Sequence, residues 1–188
     1  MFEVLAMTTM TLMRILGITF LILILVYLLL PSTSFPQPLP DAVQSQEPGD
    51  QRDLEHFRAY FTDLPRREVI SHYQRQFKLS GGLVVIPSYR LNYPPEEAFT
   101  YIADQTLSNY LEEIVYPLRE SLFINGYEPK DADDKISVNG RPYFSKVTIR
   151  YYQSNPALRV VVMALSLGAL WWLGREYWWQ WKILWGKK

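Results

Sequence analysis

Two histidines and several runs of acidic residues are the side chains of this 188-residue chain that could do chemistry. A histidine titrates near neutral pH and is a common metal ligand and proton shuttle. Neither His56 nor His72 has carboxylates at metal-ligand spacing. His72 falls between Val69 and Tyr73, two apolar positions of a predicted helix. We therefore interpret His72 as a partly exposed helix residue and predict no metal site.

The acidic residues resemble functional carboxylates only in part. Asp131, Asp133 and Asp134 begin like a calcium loop, but Ile136 stands at its sixth position instead of glycine and Pro142 at its twelfth instead of glutamate. The calcium loop is thereby excluded.

Two pairs of adjacent glutamates fall in one predicted helix, Glu96/Glu97 and Glu112/Glu113. Adjacent helix residues point about 100° apart, so we predict a solvated helix face for both pairs. Arg66/Arg67 could attract an anion near a helix start, but adjacent arginines are usually just solvated. The chain also has no phosphate loop, dinucleotide fingerprint or nucleophile elbow. We expect no catalytic residue, cofactor or metal site.

The elements that would position these residues form an α+β pattern of order β-α-β-α-β-β, which predicts a small sandwich with helices on one sheet face. Thr62 or Asp63 is expected to cap the first helix. Asn125-Gly126 predicts a turn and Asn139-Gly140 a hairpin. The predicted segments are strand 56–62, a helix to Phe77, strands 83–86 and 89–93, a helix from Pro94/Pro95 to about Leu118 that Pro117 kinks or ends, and strands 135–138 and 142–152.

The segment TDLPRREVISHYQRQF follows an aromatic strand and contains T-x-x-P-x-x-E-V-x-x-x-Y. It is similar to a pattern in membrane-anchored bacterial proteins of unassigned function. The resemblance covers about 20 residues and assigns no functional residue.

Two uncharged apolar segments, Ile15–Leu30 and Val160–Leu173, enclose the polar part of the chain. A membrane span needs about 20 apolar residues, so both are predicted transmembrane helices. A cleaved signal peptide is the alternative for the first.

The polar part of the chain between Ser32 and Pro156 contains 13 Lys/Arg and 17 Asp/Glu, an acidic balance that disfavours nucleic-acid binding. The absence of cysteine excludes disulfides and thiolate metal sites.

Basic residues flank the two spans on one side. Arg14 precedes the first span, and Arg175, Lys182, Lys187 and Lys188 follow the second. The positive-inside rule predicts both termini in the cytoplasm of a cell, which we expect to be bacterial, with the central domain outside the plasma membrane.

Tryptophans are confined to the end of the chain, where they are expected to lie at the membrane interface with Lys182, Lys187 and Lys188. We predict an amphipathic extension that turns along the inner membrane surface, with an aromatic end of a tilted span as the alternative. All six tryptophans belong to this set: Trp171, Trp172, Trp178, Trp179, Trp181 and Trp185.

The small residues Ala164 and Gly168 are four apart and would allow another helix to approach closely, so they form a possible helix–helix contact. The expected partners are the lipid bilayer and, as a possibility, another membrane protein or a second copy of this chain.

The predicted organisation comprises six segments, a cytoplasmic tail at 1–11, a transmembrane helix at 12–30, a Pro-rich disordered linker at 31–53, an extracytoplasmic α+β domain at 54–153, a transmembrane helix at 157–174, and a Trp-rich basic interfacial tail at 175–188. We expect a binding or assembly domain on a two-span anchor. A membrane-anchored enzyme of unrecognised type and a sensor domain working with a separate signalling partner are the alternatives.

Overall fold

A computed structural model describes residues 2–51, 53–80, 85–94, 108–129 and 136–185. The chain divides into two compact units, one formed by Met1–Leu30 with Ser154–Lys188 and the other by Pro31–Gln153. The class is α+β, as predicted, and the main sheet is antiparallel with six strands and lies between two long apolar helices in the sequence.

The helical unit contains α1, Phe2–Leu29, and a second long helix, α3, Pro156–Trp185. Both are long and apolar enough to cross a membrane, and most of their side chains are exposed. The helix α1 also includes most of the segment 1–11, which is predicted to be a cytoplasmic tail. The helix α3 runs without interruption through Trp185, so no turn separates its apolar part from its Trp-rich part.

In its described residues the sheet unit contains ten strands, one α-helix and a short 3-10 helix. The main sheet has the order β1-β2-β10-β7-β6-β5, and β3–β4 and β8–β9 form two-stranded pairs. The helix α2, Arg66–Gln76, follows β2. The strands are β1 Val43–Gln44, β2 Phe57–Thr62, β3 Leu79–Ser80, β4 Val85–Ile86, β5 Tyr89–Tyr93, β6 Tyr110–Tyr116, β7 Glu120–Tyr127, β8 Ile136–Val138, β9 Arg141–Tyr143 and β10 Ser145–Gln153.

One face of the sheet packs on α2. Val69, Ile70 and Tyr73 of the helix are buried, and the Phe77 ring that follows lies 5.2 Å from the Tyr116 ring and 6.0 Å from the Tyr151 ring. The helix begins after Pro65 without a side-chain cap, so the capping role predicted for Thr62 or Asp63 is wrong. Proline lacks the N–H that would be unpaired at this position, which makes such a start inexpensive.

The second predicted helix is wrong over its last part, because Tyr110–Tyr116 forms the strand β6 instead. The preceding residues 95–107 lie outside the described residues. Instead of kinking a helix, Pro117 enters the tight turn to β7, in which Leu118 takes a positive φ of 64°. Strand β6 is one of the inner strands of the sheet, paired with β5 and β7, and these partners override the helix-like spacing of its apolar residues.

The two Asn-Gly pairs have different outcomes. Asn139 and Gly140 have φ values of 52° and 78° and join β8 to β9, which confirms the predicted hairpin. Asn125 and Gly126 instead lie inside β7. A Cβ on Gly126 would clash with the Tyr110 hydroxyl oxygen, so glycine here makes room for a cross-strand tyrosine.

The Pro-rich segment after α1 is ordered against the sheet, in contrast to the disordered linker that its composition predicts. Leu39 is buried, and β1 pairs with β2. A short 3-10 helix, Pro48–Gln51, follows, and Asp50 within it lies 2.8 Å from the Lys146 ammonium on β10. Tertiary contacts thus offset the entropy of ordering this segment.

Candidate functional site

The carboxylate of Glu112 on β6 is completely buried and is bound by two arginines. The Arg66 Nε–H donates to Oε1 at 2.8 Å, and the Arg90 Nη2–H donates to the same oxygen at 2.8 Å. The Arg90 Nε–H donates to Oε2. Guanidinium–carboxylate bonds of this kind are the strongest hydrogen bonds that side chains form.

Three elements meet at this carboxylate. Arg66 is the first residue of α2, Arg90 lies on β5, and Asn92 of β5 stands opposite Glu112 in the sheet register. Arg66 also donates to the Asn92 side-chain oxygen at 2.7 Å and lies 4.8 Å from the centre of the Tyr110 ring. A cation at a helix N-terminus opposes the helix dipole, so the carboxylate offsets a local cost while fastening α2 to the sheet.

Glu112, Arg66, Arg90 and Asn92 form what we call the Glu112 cluster. It has two guanidinium groups and one carboxylate, so its centre carries one more positive than negative charge. Its arginines reach the surface, with side-chain exposures of 33% for Arg66 and 46% for Arg90. We had predicted Glu112 and Glu113 on a solvated helix face. That interpretation is wrong, because neighbouring strand residues point to opposite faces and both carboxylates are buried.

Glu113 is held on the other face of the sheet. The Ser121 hydroxyl donates to its Oε1 at 2.5 Å, and the Tyr93 hydroxyl donates to its Oε2. Nearby, Leu111 is buried against Tyr93 and Phe123. Neutral hydroxyl donors therefore satisfy one of these carboxylates and arginines satisfy the other.

A third buried charge site lies where β7 begins. The side chains of Arg119 and Glu120 are fully buried and 3.4 Å apart. Glu120 accepts hydrogen bonds from the Tyr151 hydroxyl at 2.8 Å and from the Thr33 N–H at 3.1 Å, and Arg119 donates to the Pro31 carbonyl at 3.0 Å. This site anchors the start of the Pro-rich segment.

Two tyrosine hydroxyls near the Glu112 cluster, those of Tyr73 and Tyr110, are buried and have no hydrogen-bond partner among the described residues. Burial raises the pKa of both hydroxyls well above the ordinary value of a tyrosine. They therefore stay neutral while the sheet unit is folded.

The strand β5 forms one end of the main sheet, next to β6, and no second neighbour pairs with it among the described residues. Tyr89 is 62% exposed and Leu91 is 45% exposed, although both belong to a regular strand. Between them, Arg90 points to the other face and binds Glu112. The edge thus combines exposed apolar side chains with a strand that is fixed in place.

The tryptophans singled out from the sequence all lie on α3, with exposures between 54% and 69%. Trp181 stacks on Trp185 with ring centres 5.2 Å apart, and Lys182 lies 5.3 Å from the Trp178 ring. Lys187 and Lys188 lie outside the described residues. Their membrane-interface role stays a prediction.

Ala164 and Gly168 are exposed on α3, and nothing lies within 4 Å of a Cβ built on Gly168. Their contact with another helix stays a prediction. The contact inside the helical unit that the sequence did not indicate involves Arg159. Its guanidinium is buried and donates to the Leu28 carbonyl at 3.1 Å, the Ser154 hydroxyl at 2.8 Å and the Ser154 carbonyl at 2.7 Å.

The histidines take part in local contacts. His56 Nδ1 lies 3.1 Å from an Asp53 carboxylate oxygen, and this contact lowers the pKa of Asp53. His72 lies beside Gln76 on α2, with its ring edge-on to Tyr73. No group of three potential metal ligands occurs in the part of the chain that the structure describes. The acidic run at 131–134 and the pair Glu96/Glu97 fall outside that part.

Comparisons with known protein families, with curated proteins and with solved structures find no match for this chain.

Proposed function

We propose that this chain is a two-span membrane protein whose sheet unit stands outside the cytoplasm and binds an extended segment of a partner protein along β5. The basic residues Arg14, Arg175 and Lys182 support the orientation, because Lys and Arg are retained on the cytoplasmic side of short flanks. The role is binding and assembly without catalysis.

The exposed edge at β5 carries this proposal. An edge strand offers a row of backbone N–H and C=O groups whose spacing another strand matches. Tyr89 and Leu91 project from the same face of β5, two residues apart, as alternate side chains of a strand do. A bound segment with apolar residues at alternate positions would cover both side chains.

The Glu112 cluster supports the same function by fixing the edge in advance. Arg90, between the two exposed side chains, is held by two hydrogen bonds to a fully buried carboxylate. Asn92, one residue beyond Leu91, receives a hydrogen bond from Arg66. A strand ordered before binding loses less conformational entropy when the partner docks.

Strand addition can be tested with a photoreactive amino acid at Tyr89 in the full chain in its native membrane. We expect a cross-linked protein partner, and we expect Leu91→Lys to abolish the product because a charge would oppose apolar docking on the edge. The matched control is a photoreactive residue at Val43, which is 41% exposed on the opposite edge strand β1. Equal products at both edges, or a product that Leu91→Lys leaves unchanged, would refute the β5 site.

The orientation can be tested separately because the chain contains no cysteine. A single cysteine at the exposed Arg141 of the β8–β9 hairpin is expected to react with a membrane-impermeant maleimide in intact cells. A cysteine added after Lys188 is expected to react only after the cells are opened. The reverse pattern would overturn the orientation without affecting the β5 proposal.

A further inference from the structure

One face of α3 carries an alternating row of tryptophans and cations. Trp171, Arg175, Trp178, Lys182 and Trp185 follow one another at spacings of four, three, four and three residues. At 100° per residue these five positions fall within a sector of about 80° on the helix. We call this row the α3 stripe.

Each cation of the α3 stripe rests on an indole ring. The Arg175 guanidinium lies 5.6 Å from the centre of the Trp171 ring, and the Lys182 ammonium lies 5.3 Å from the centre of the Trp178 ring. No carboxylate in the described part of the chain forms an ion pair with either cation. Cation–π contacts orient such groups but leave their positive charge uncompensated.

The length of α3 indicates the depth of the α3 stripe in a bilayer. The helix has 30 residues and is therefore about 45 Å long, about 15 Å longer than a hydrocarbon core of about 30 Å. With the core beginning at Pro156, its 20 residues end at Arg175. Arg175 then lies at the core boundary and Lys182 about 10 Å beyond it, so the two long side chains reach the lipid phosphates from either side.

We infer that the α3 stripe is a binding site for anionic phospholipid headgroups, an inference that rests on the proposed insertion of α3. Two uncompensated cations at phosphate depth complement a lipid with net negative charge, while the flanking indoles suit the headgroup layer. A second copy of this chain fits less well. A two-fold contact between identical stripes would set Arg175 and Lys182 against their own positive counterparts.

The test uses intrinsic fluorescence, because all six tryptophans of the chain lie on α3. The full chain is reconstituted into phosphatidylcholine nanodiscs with a minor fraction of chain-brominated phosphatidylglycerol, or the same fraction of brominated phosphatidylcholine. Stronger quenching by phosphatidylglycerol measures its enrichment beside the stripe. At about fivefold in affinity per basic residue, we expect a preference of up to about 25-fold that falls as salt is raised.

In a background in which Lys187 and Lys188 are also replaced by Gln, the variant Arg175→Gln/Lys182→Gln is expected to bring the preference close to one. The exchange Arg175→Lys/Lys182→Arg keeps both charges and is expected to preserve it, which separates charge from helix integrity. Arg141→Gln in the β8–β9 hairpin is the control for a cation elsewhere.

Equal quenching by the two lipids, or a preference that survives loss of both cations, would refute the inference while leaving membrane insertion intact. Tryptophans shielded from both lipids, together with cross-links between cysteines placed on α3 of two chains, would show a second copy on the stripe and also refute it. Shielding from both lipids without a protein neighbour would contradict insertion itself, and with it the proposed function.

Discussion

The two units of this chain differ in which side chains they bury and which they expose. The sheet unit buries Glu112, Glu113, Arg119 and Glu120, and each has a charged or hydroxyl partner. The helical unit exposes apolar side chains along almost its full length and buries the cation Arg159. Exposed apolar side chains are costly in water, so this arrangement supports the prediction that the two helices lie in a membrane.

Different contacts hold the elements of each unit together. Ion clusters fasten the helix and strands of the sheet unit in addition to its apolar core, so its stability depends on complete sets of partners. In the helical unit, the Arg159 guanidinium joins Leu28 at the end of α1 to Ser154 just before α3. We therefore expect substitutions of buried charges to differ in effect between the units.

The largest expected effect comes from removing the Glu112 carboxylate. In the fragment Pro31–Gln153, which we expect to fold by itself, Glu112→Ala removes the carboxylate that accepts three hydrogen bonds from Arg66 and Arg90. Each hydrogen bond between charged groups contributes about 1.5–3 kcal/mol, so we expect the free energy of unfolding to fall by about 3–5 kcal/mol. Urea denaturation followed by circular dichroism measures it.

The control for this change is Glu47→Ala. Glu47 is an exposed carboxylate that pairs with Lys146, and exposed pairs contribute about 0–1 kcal/mol. Similar losses for the two variants would mean that the Glu112 cluster does not stabilise the unit as described.

The ordered Pro-rich segment gives the next largest effect. A fragment beginning at Asp53 lacks β1 and the buried Leu39, and Arg119 loses the Pro31 carbonyl. Since burial of a leucine side chain alone contributes about 1.5–3 kcal/mol, we expect it to unfold at a clearly lower urea concentration than Pro31–Gln153. Equal urea midpoints for the two fragments would show that the Pro-rich segment is the unstructured tether that its composition predicts.

In the helical unit, Arg159→Ala removes three hydrogen bonds from a charged donor. We expect a loss of about 1.5–3 kcal/mol for the contact between α1 and α3, because hydrogen bonds to charged groups contribute that much. Since the chain has no cysteine, spin labels on one introduced cysteine in each helix report the distance between them. A broadened distance distribution is expected for Arg159→Ala, whereas Arg175→Ala should leave it narrow.

The smallest effect is expected from Tyr73→Phe, which deletes a buried hydroxyl that has no partner in the described residues. At neutral pH the free energy of unfolding should stay the same or rise by up to about 1 kcal/mol. An unchanged or higher free energy of unfolding would distinguish this hydroxyl from the paired charged groups above, whose removal lowers it. A loss above about 1 kcal/mol would instead show that the hydroxyl makes a stabilising bond.

The same hydroxyl predicts a dependence on pH. Burial raises the pKa of Tyr73 above its unfolded value of 10.0, so its neutral form favours folding. This contribution is complete below pH 10 and is lost as the pH rises above that, because the unfolded chain ionises first. Urea denaturation measured at successive pH values above about 10 should show a less steep loss of stability for Tyr73→Phe than for the unchanged fragment.

Local patterns in the sequence were sufficient where residues that are close in sequence determine the structure. The Asn139-Gly140 hairpin follows from backbone preferences at two residues, and the two apolar helices follow from composition over some 20 residues. The buried face of α2 follows from the spacing of Val69, Ile70 and Tyr73. None of these needs a distant contact.

The sequence by itself thus determined the α+β class and the two long apolar helices. The tertiary structure decided what depends on partners remote in sequence. YLEEIVY has apolar residues at helical spacing, yet it is a strand, because Arg66 and Arg90 neutralise Glu112 on one face and Tyr93 and Ser121 satisfy Glu113 on the other. The Pro-rich segment is ordered for the same reason, since the partners of Pro31 and Thr33 lie some 90 residues further along the chain. A buried charge is stable only beside its counter-charge, and only folding brings the two together.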